Sequence, residues 1–168
     1  DPLWSRGLGD VYKRQLLLLD KKAAEDAART SSCISLRTLR QSGQAALTSW
    51  VILLPGPEQA LRANIHCQIS LALNRIYTEW YPSKGYSFNI TNSTSYDQYY
   101  VHGRTVFDVM VRLTDDIFNT YIRKTGTVNP YYAEYCDGKS VTCPGLKQWG
   151  TLTLANQGRS ALSILKYY

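Results

Sequence analysis

Residues 57–80 read PEQALRANIHCQISLALNRIYTEW. Apolar side chains recur there at Leu61, Ile65, Ile69, Leu73, Ile76 and Trp80, three or four residues apart. That spacing is the stripe of an amphipathic helix and predicts one from about Pro57 to Trp80. Pro57 suits the first helical position, where a missing N–H costs nothing. Pro82-Ser83-Lys84-Gly85 ends the run. Glu58 falls in the first turn. A carboxylate there answers the helix dipole or, beside a cleft, serves as an acid catalyst.

Downstream, residues 86–103, YSFNITNSTSYDQYYVHG, are polar, aromatic and turn-rich, and read as a loop with room for a short strand. Val106, Met110, Leu113, Ile117 and Tyr121 predict a second helix, with Gly126 as its stop. Residues 129–138, NPYYAEYCDG, alternate around Tyr131, Ala133 and Tyr135, which suits a strand closed by an Asp-Gly turn. Residues 145–158 predict a helix with Gly158 near its end, and Ser160 is placed to cap a last helix. These elements give a single α+β domain with two long amphipathic helices, a small β element and a C-terminal helix pair.

Residues 16–54 carry no clear periodicity and form an uncertain segment ahead of a domain at 55–168. Residues 5–15, SRGLGDVYKRQ, resemble the in-frame translation of a sequencing adapter, so residues 1–15 are set aside from fold reasoning. On that reading the chain is a fragment, its natural N-terminus missing and its C-terminus truncated.

The 168 residues suffice for one domain with a core. No apolar run approaches the roughly 20 residues that span a bilayer. The net charge of +6 is modest and suits a mildly basic soluble surface as well as a nearby anionic polymer such as nucleic acid or cell wall, and no Lys/Arg block is dense enough for a nucleic-acid footprint. No G-x-S-x-G elbow, GxGxxG run or P-loop occurs, so neither a nucleotide nor another cofactor is expected. His66 and His102 have no ligand-like spacing, and no metal site is expected. Cys136 and Cys143 bracket DGKSVT; a disulfide, two free thiols or a metal pair are all open. Cys33 and Cys67 read as core or unpaired thiols. Asn89-Ile-Thr and Asn92-Ser-Thr match the glycosylation triplet, which chance supplies often in such loops.

Tyrosines gather at Tyr96, Tyr99, Tyr100, Tyr131, Tyr132 and Tyr135. Their rings suit the apolar faces of sugars as well as a protein core. The acids available are Glu58, Glu79, Asp97, Asp108, Asp115, Asp116, Glu134 and Asp137, and spacing alone selects no glycosidase pair.

Two stretches carry a resemblance. Residues 60–77, ALRANIHCQISLALNRIY, resemble the helix that opens the sporulation stage II protein D family, also called the amidase-enhancer family, with its Glu-Ala-Leu-Lys-Ala-Gln and later Arg-Thr-Tyr. Residues 145–168 resemble that family's closing Gly-x-Ser-Gln-Trp/Tyr-Gly-Ala run and its Ile-Leu-x-Tyr-Tyr end, and YDQYY at 96–100 is similar to its central Asp-Gln-x-Tyr. The likeness extends to Firmicute wall proteins described as peptidoglycan-binding. It implies an extracytoplasmic protein of the cell wall or forespore envelope, acting on peptidoglycan glycan strands by lytic transglycosylation. One carboxylic acid with a raised pKa suffices for that chemistry.

On the resemblance, the acid's position is Gln59, and an amide delivers no proton at neutral pH. Glu58 stands one residue earlier, about 100° away around the helix. Cys143-Pro144 and Lys147 also depart from the closing motif. The expectation is a glycan-strand-binding domain that has lost cleavage, with Asp97, Gln98, Tyr99, Gln148 and Trp149 as glycan contacts. The alternatives are an active transglycosylase using Glu58 or Glu134, and a structural module that binds other envelope or sporulation proteins.

Overall fold

A computed structural model describes the backbone of Leu16–Leu18 and residues 57–99 and 106–168. Residues 1–15, the rest of 16–54, Tyr100, His102 and Cys33 lie outside the described residues. The fold is α+β: strand β1 (Leu16–Leu18), helix α1 (Glu58–Tyr77), a 3-10 turn (Pro82–Lys84), helix α2 (Asp108–Ile117), strands β2 (Ile122–Lys124), β3 (Tyr135–Cys136) and β4 (Leu146–Lys147), and helices α3 (Gln148–Asn156) and α4 (Ala161–Tyr167). β1 pairs antiparallel with β2, Leu17 opposite Arg123, and β3 pairs in parallel with β4, Tyr135 opposite Leu146.

Helix α1 is the axis of the domain. Leu61, Ile65, Ile69, Leu73 and Ile76 meet Met110, Leu113 and Ile117 of α2. Ala60, Ala63 and Cys67, on another face, meet Ile122, Leu146, Leu154, Ala155, Ile164 and Leu165. The apolar stripe is therefore only one of two buried faces. Several polar residues of α1, Asn64, His66, Gln68, Ser70 and Arg75, are buried too, and some of the helix's polar side chains tie down a neighbour. Ser70 Oγ donates to the His66 carbonyl at 2.6 Å and accepts from the Ile122 N–H at 2.8 Å, fixing β2. Asn64 Nδ2 donates to Thr151 Oγ1 of α3 at 2.9 Å, and Asn74 Nδ2 to the Pro130 carbonyl at 2.8 Å. Each such bond satisfies a group whose burial alone is unfavourable.

The helix ends at Tyr77, three residues short of the expected Trp80. The Glu79 N–H donates to the Ile76 carbonyl and the Trp80 N–H to the Arg75 carbonyl, the paired bonds of a Schellman cap. The left-handed residue this cap needs is usually glycine; here it is Glu79, at φ 47°. The expected stop at Gly126 instead lies beyond β2, in the turn at φ 81°.

Local signals placed the C-terminal pair well. Gly158 follows α3 at φ 80°, and Ser160 Oγ accepts from the Ser163 N–H to cap α4. The strand expected from Tyr131 shortens to Tyr135–Cys136. Its parallel partner is held by the Leu146 N–H donating to the Glu134 carbonyl at 3.0 Å. Gly145 permits that approach, since a Cβ there would overlap the same carbonyl. Cys136 and Cys143 form a disulfide, with Cα atoms 6.0 Å apart.

Candidate functional site

The expected site residues do not share one cleft. Glu58 begins α1 and Arg75, which binds Asp97, is near its end. Seventeen residues of helix put them about 25 Å apart.

At the first end, Glu58 is exposed and ion-paired. It accepts from Arg62 at 2.8 Å and Arg112 at 3.4 Å, while Arg62 also reaches Asp116 at 2.9 Å. The hydrogen bond from Arg62, aided by Arg112, holds the Glu58 carboxyl below its ordinary range. A general acid needs the opposite shift; here Glu58, expected as one candidate acid, stands in a surface ion pair. Gln59 Oε1 accepts from the Ala161 N–H at 2.9 Å and so joins the starts of α1 and α4. Its amide fastens two helices together. Glu134 contributes its backbone to the β3–β4 pair and is exposed to solvent.

At the other end, Arg75 and Asp97 form a buried node. Arg75 Nε donates to Asp97 Oδ1 at 2.6 Å, and the Asp97 side chain is fully buried. Asp97 Oδ2 accepts from Tyr81 Oη at 2.6 Å, the Thr91 N–H at 2.9 Å and Thr91 Oγ1 at 2.8 Å. Burial opposes ionisation of Asp97, but these donors outweigh it and hold the carboxyl below its usual range. Arg75 Nη2 donates to the Tyr96 carbonyl at 3.0 Å and to Tyr132 Oη at 3.3 Å, and Tyr132 Oη donates to the Tyr96 carbonyl. The guanidinium lies over the rings of Trp80, Tyr81 and Tyr132 at 4.8, 5.6 and 4.5 Å. One ion pair thus binds the end of α1, the 86–99 loop and the chain before β3.

Aromatic rings surround this node. Tyr81 contacts Phe88 and Tyr86 at centroid distances of 4.8 and 6.0 Å, and Tyr86 contacts Phe88 at 5.2 Å. Tyr86, Phe88, Tyr96 and Tyr99 are 53%, 39%, 66% and 42% exposed. Tyr86 and Phe88 thus form an exposed ring cluster on Tyr81, and Tyr96 and Tyr99 are exposed on the same loop.

Asp97 and Gln98 were expected to touch ligand directly, but the Asp97 side chain is covered and Gln98 is buried. Asp97 is committed to the node, and Gln98 Oε1 accepts from Tyr135 Oη at 3.1 Å. Of the expected contacts only Tyr99 is exposed on this loop. Gln148 is buried at the start of α3, and Trp149 is half-buried with Lys139 Nζ 3.2 Å over its ring. Arg75, Trp80, Tyr81, Tyr86, Phe88 and Thr91 were not singled out from sequence as site residues. The signal that marks them is aromatic density on both sides of Pro82-Ser83-Lys84-Gly85.

Two other reactive groups are out of play. Burial pushes the Cys67 thiol up to about 12, and burial, with Arg62 nearby, pulls His66 down to about 4. Among the described residues no group of His, Cys, Asp and Glu is arranged to hold a metal ion, and no helix is long and apolar enough to cross a membrane. No protein-family model, curated protein or solved structure matches the chain.

Proposed function

We propose that this chain is a bacterial cell-wall domain that binds peptidoglycan glycan strands without cutting them. The observation that carries the reading is the exposed group of Tyr86, Phe88, Tyr96 and Tyr99 around the Arg75–Asp97 node. Tyrosine and phenylalanine rings pack on the C–H faces of sugars, and the phenolic hydroxyls keep polar partners for sugar hydroxyls. Because the node fixes the loop through buried bonds, little ordering is left for the moment of binding. The sequence likeness supplies the ligand class, and the Cys136–Cys143 disulfide accords with an oxidising, extracytoplasmic setting.

Binding is favoured over cleavage by the state of the acids. Glu58 is held ionised by two arginines, Asp97 is fully bonded in the interior, and Gln59 carries no proton to give. Binding of another envelope protein is the second reading, since an exposed aromatic patch also suits a protein partner.

Sedimentation with insoluble peptidoglycan, stripped of attached phosphate polymers, tests the proposal. Most of the protein is expected in the pellet, with no anhydromuramyl ends released. Protein left wholly in the supernatant would overturn wall binding and favour the protein-partner reading. Anhydromuramyl products that vanish in Glu58→Gln would restore the enzyme.

A further inference from the structure

A second face of the domain differs in kind from the first. From Gly138 to Tyr168 the sequence holds four cations, Lys139, Lys147, Arg159 and Lys166, and no acidic side chain. The structure stacks three of them on rings. Lys139 Nζ lies 3.2 Å over Trp149, Lys147 Nζ 5.9 Å over Tyr168, and the Arg159 guanidinium 5.4 Å over Tyr167.

These pairs are joined. The side chain of Lys147 packs on Gly138, next to Lys139; the hydroxyl of Tyr168 seats against Gly150, next to Trp149; Tyr168 meets Tyr167 at 5.1 Å. Two carboxylates border the face. Asp137 is occupied by the N–H groups of Lys139, Ser140 and Val141 and by the Ser140 hydroxyl, and Glu134 points to solvent.

We infer that this face binds an anionic phosphodiester polymer of the bacterial wall, a chain of polyol phosphates, beside the glycan held at the aromatic face. The inference rests on the cell-wall reading for the source of the polymer, and on charge complementarity for its chemistry. Two of the three ring-stacked cations are lysines, which meet phosphate as point charges. Ring contacts hold the cations at the surface, so less side-chain freedom is lost on binding. The same contacts argue against single-stranded nucleic acid, whose bases need open aromatic faces to stack on. Here Lys139 lies close over Trp149 and leaves Tyr167 as the one open ring, so the face offers charge at several points and no run of open rings.

The test uses soluble poly(glycerol phosphate), with hyaluronate and single-stranded DNA as comparators, so its outcome is independent of peptidoglycan binding. Poly(glycerol phosphate) is expected to bind more tightly than either comparator, and to weaken about tenfold or more between roughly 50 mM and 200 mM salt. Replacing Lys139, Lys147 and Arg159 together by Gln is expected to remove this binding while sedimentation with stripped peptidoglycan is kept. Lys139→Gln with Arg159→Gln, a milder change, is expected to weaken it severalfold. Absence of binding at low salt, or binding unaltered in both variants, would overturn the inference. DNA binding more tightly would make the face a nucleic-acid surface, and equal binding of hyaluronate would deny it phosphate selectivity.

Discussion

Helix α1 carries charged pairs at both ends, and the two ends do different work. At its start, Glu58, Arg62, Arg112 and Asp116 form an open network in solvent. At its finish, Arg75 and Asp97 meet inside the protein, with side chains 9% and 0% exposed. Water screens the first set and competes for every bond, so exposed pairs of this kind add little to stability. The second set has no water to fall back on. Every bond it makes is structural, and losing one partner strands the other. The same residue types therefore decorate one end and organise the other, and the exposed aromatic loop is built on the end that organises.

The largest effect should come from breaking the buried end. Asp97→Ala leaves the Arg75 guanidinium without its carboxylate and is expected to cost about 3–5 kcal/mol, measured by denaturant unfolding. A loss no greater than that of a surface substitution would erase the contrast. The pH dependence follows in sign from the lowered carboxyl of Asp97: its stabilisation is present above about pH 4 and is lost as pH falls through its lower folded-state value.

The middle of α1 has its own titration. His66 is neutral when buried and its folded-state value is lowered to about 4. Its contribution is present above about pH 6.5 and is lost as pH falls towards 4, amounting to as much as about 3 kcal/mol. Unfolding free energies measured from neutral pH downward should show that decline in the parent protein and a flatter profile in His66→Gln. Equal slopes would contradict the assignment.

A smaller change sharpens the comparison at the buried end. Glu79 holds a left-handed conformation that favours glycine, so Glu79→Gly is expected to be neutral or to stabilise by up to about 1 kcal/mol in thermal unfolding. Clear destabilisation would mean that the Glu79 side chain, not its backbone, matters. The smallest effect belongs to the open network: Glu58→Gln should leave the unfolding midpoint nearly unchanged.

Much of the fold was legible in sequence because its signals are local. Apolar spacing gave α1 and α2, Ser160 gave the cap of α4, and Gly158 gave the end of α3. The end of α1 was misplaced because a glutamate took the left-handed position, a choice only the cap's hydrogen bonds reveal. The site was less legible. Asp97 and Tyr99 drew notice as loop residues in an aromatic run, but the node joins residues 75, 81, 91, 97 and 132. Nothing in a linear pattern says that an arginine late in a helix will turn Asp97 and Gln98 inward. At Glu58 the helix position was legible, but it said nothing about the two arginines that pair with its carboxylate.

The proposed glycan site lies at the aromatic end of α1 and not at the Glu58 end. The direct measurement is the affinity of soluble peptidoglycan glycan strands for the parent protein, for Tyr86→Ala with Tyr96→Ala, and for Glu58→Gln. The account predicts an affinity about tenfold or more weaker in the tyrosine variant and unchanged in Glu58→Gln. Full affinity without the two tyrosines, together with its loss in Glu58→Gln, would contradict the account and move the site to the other end of the helix.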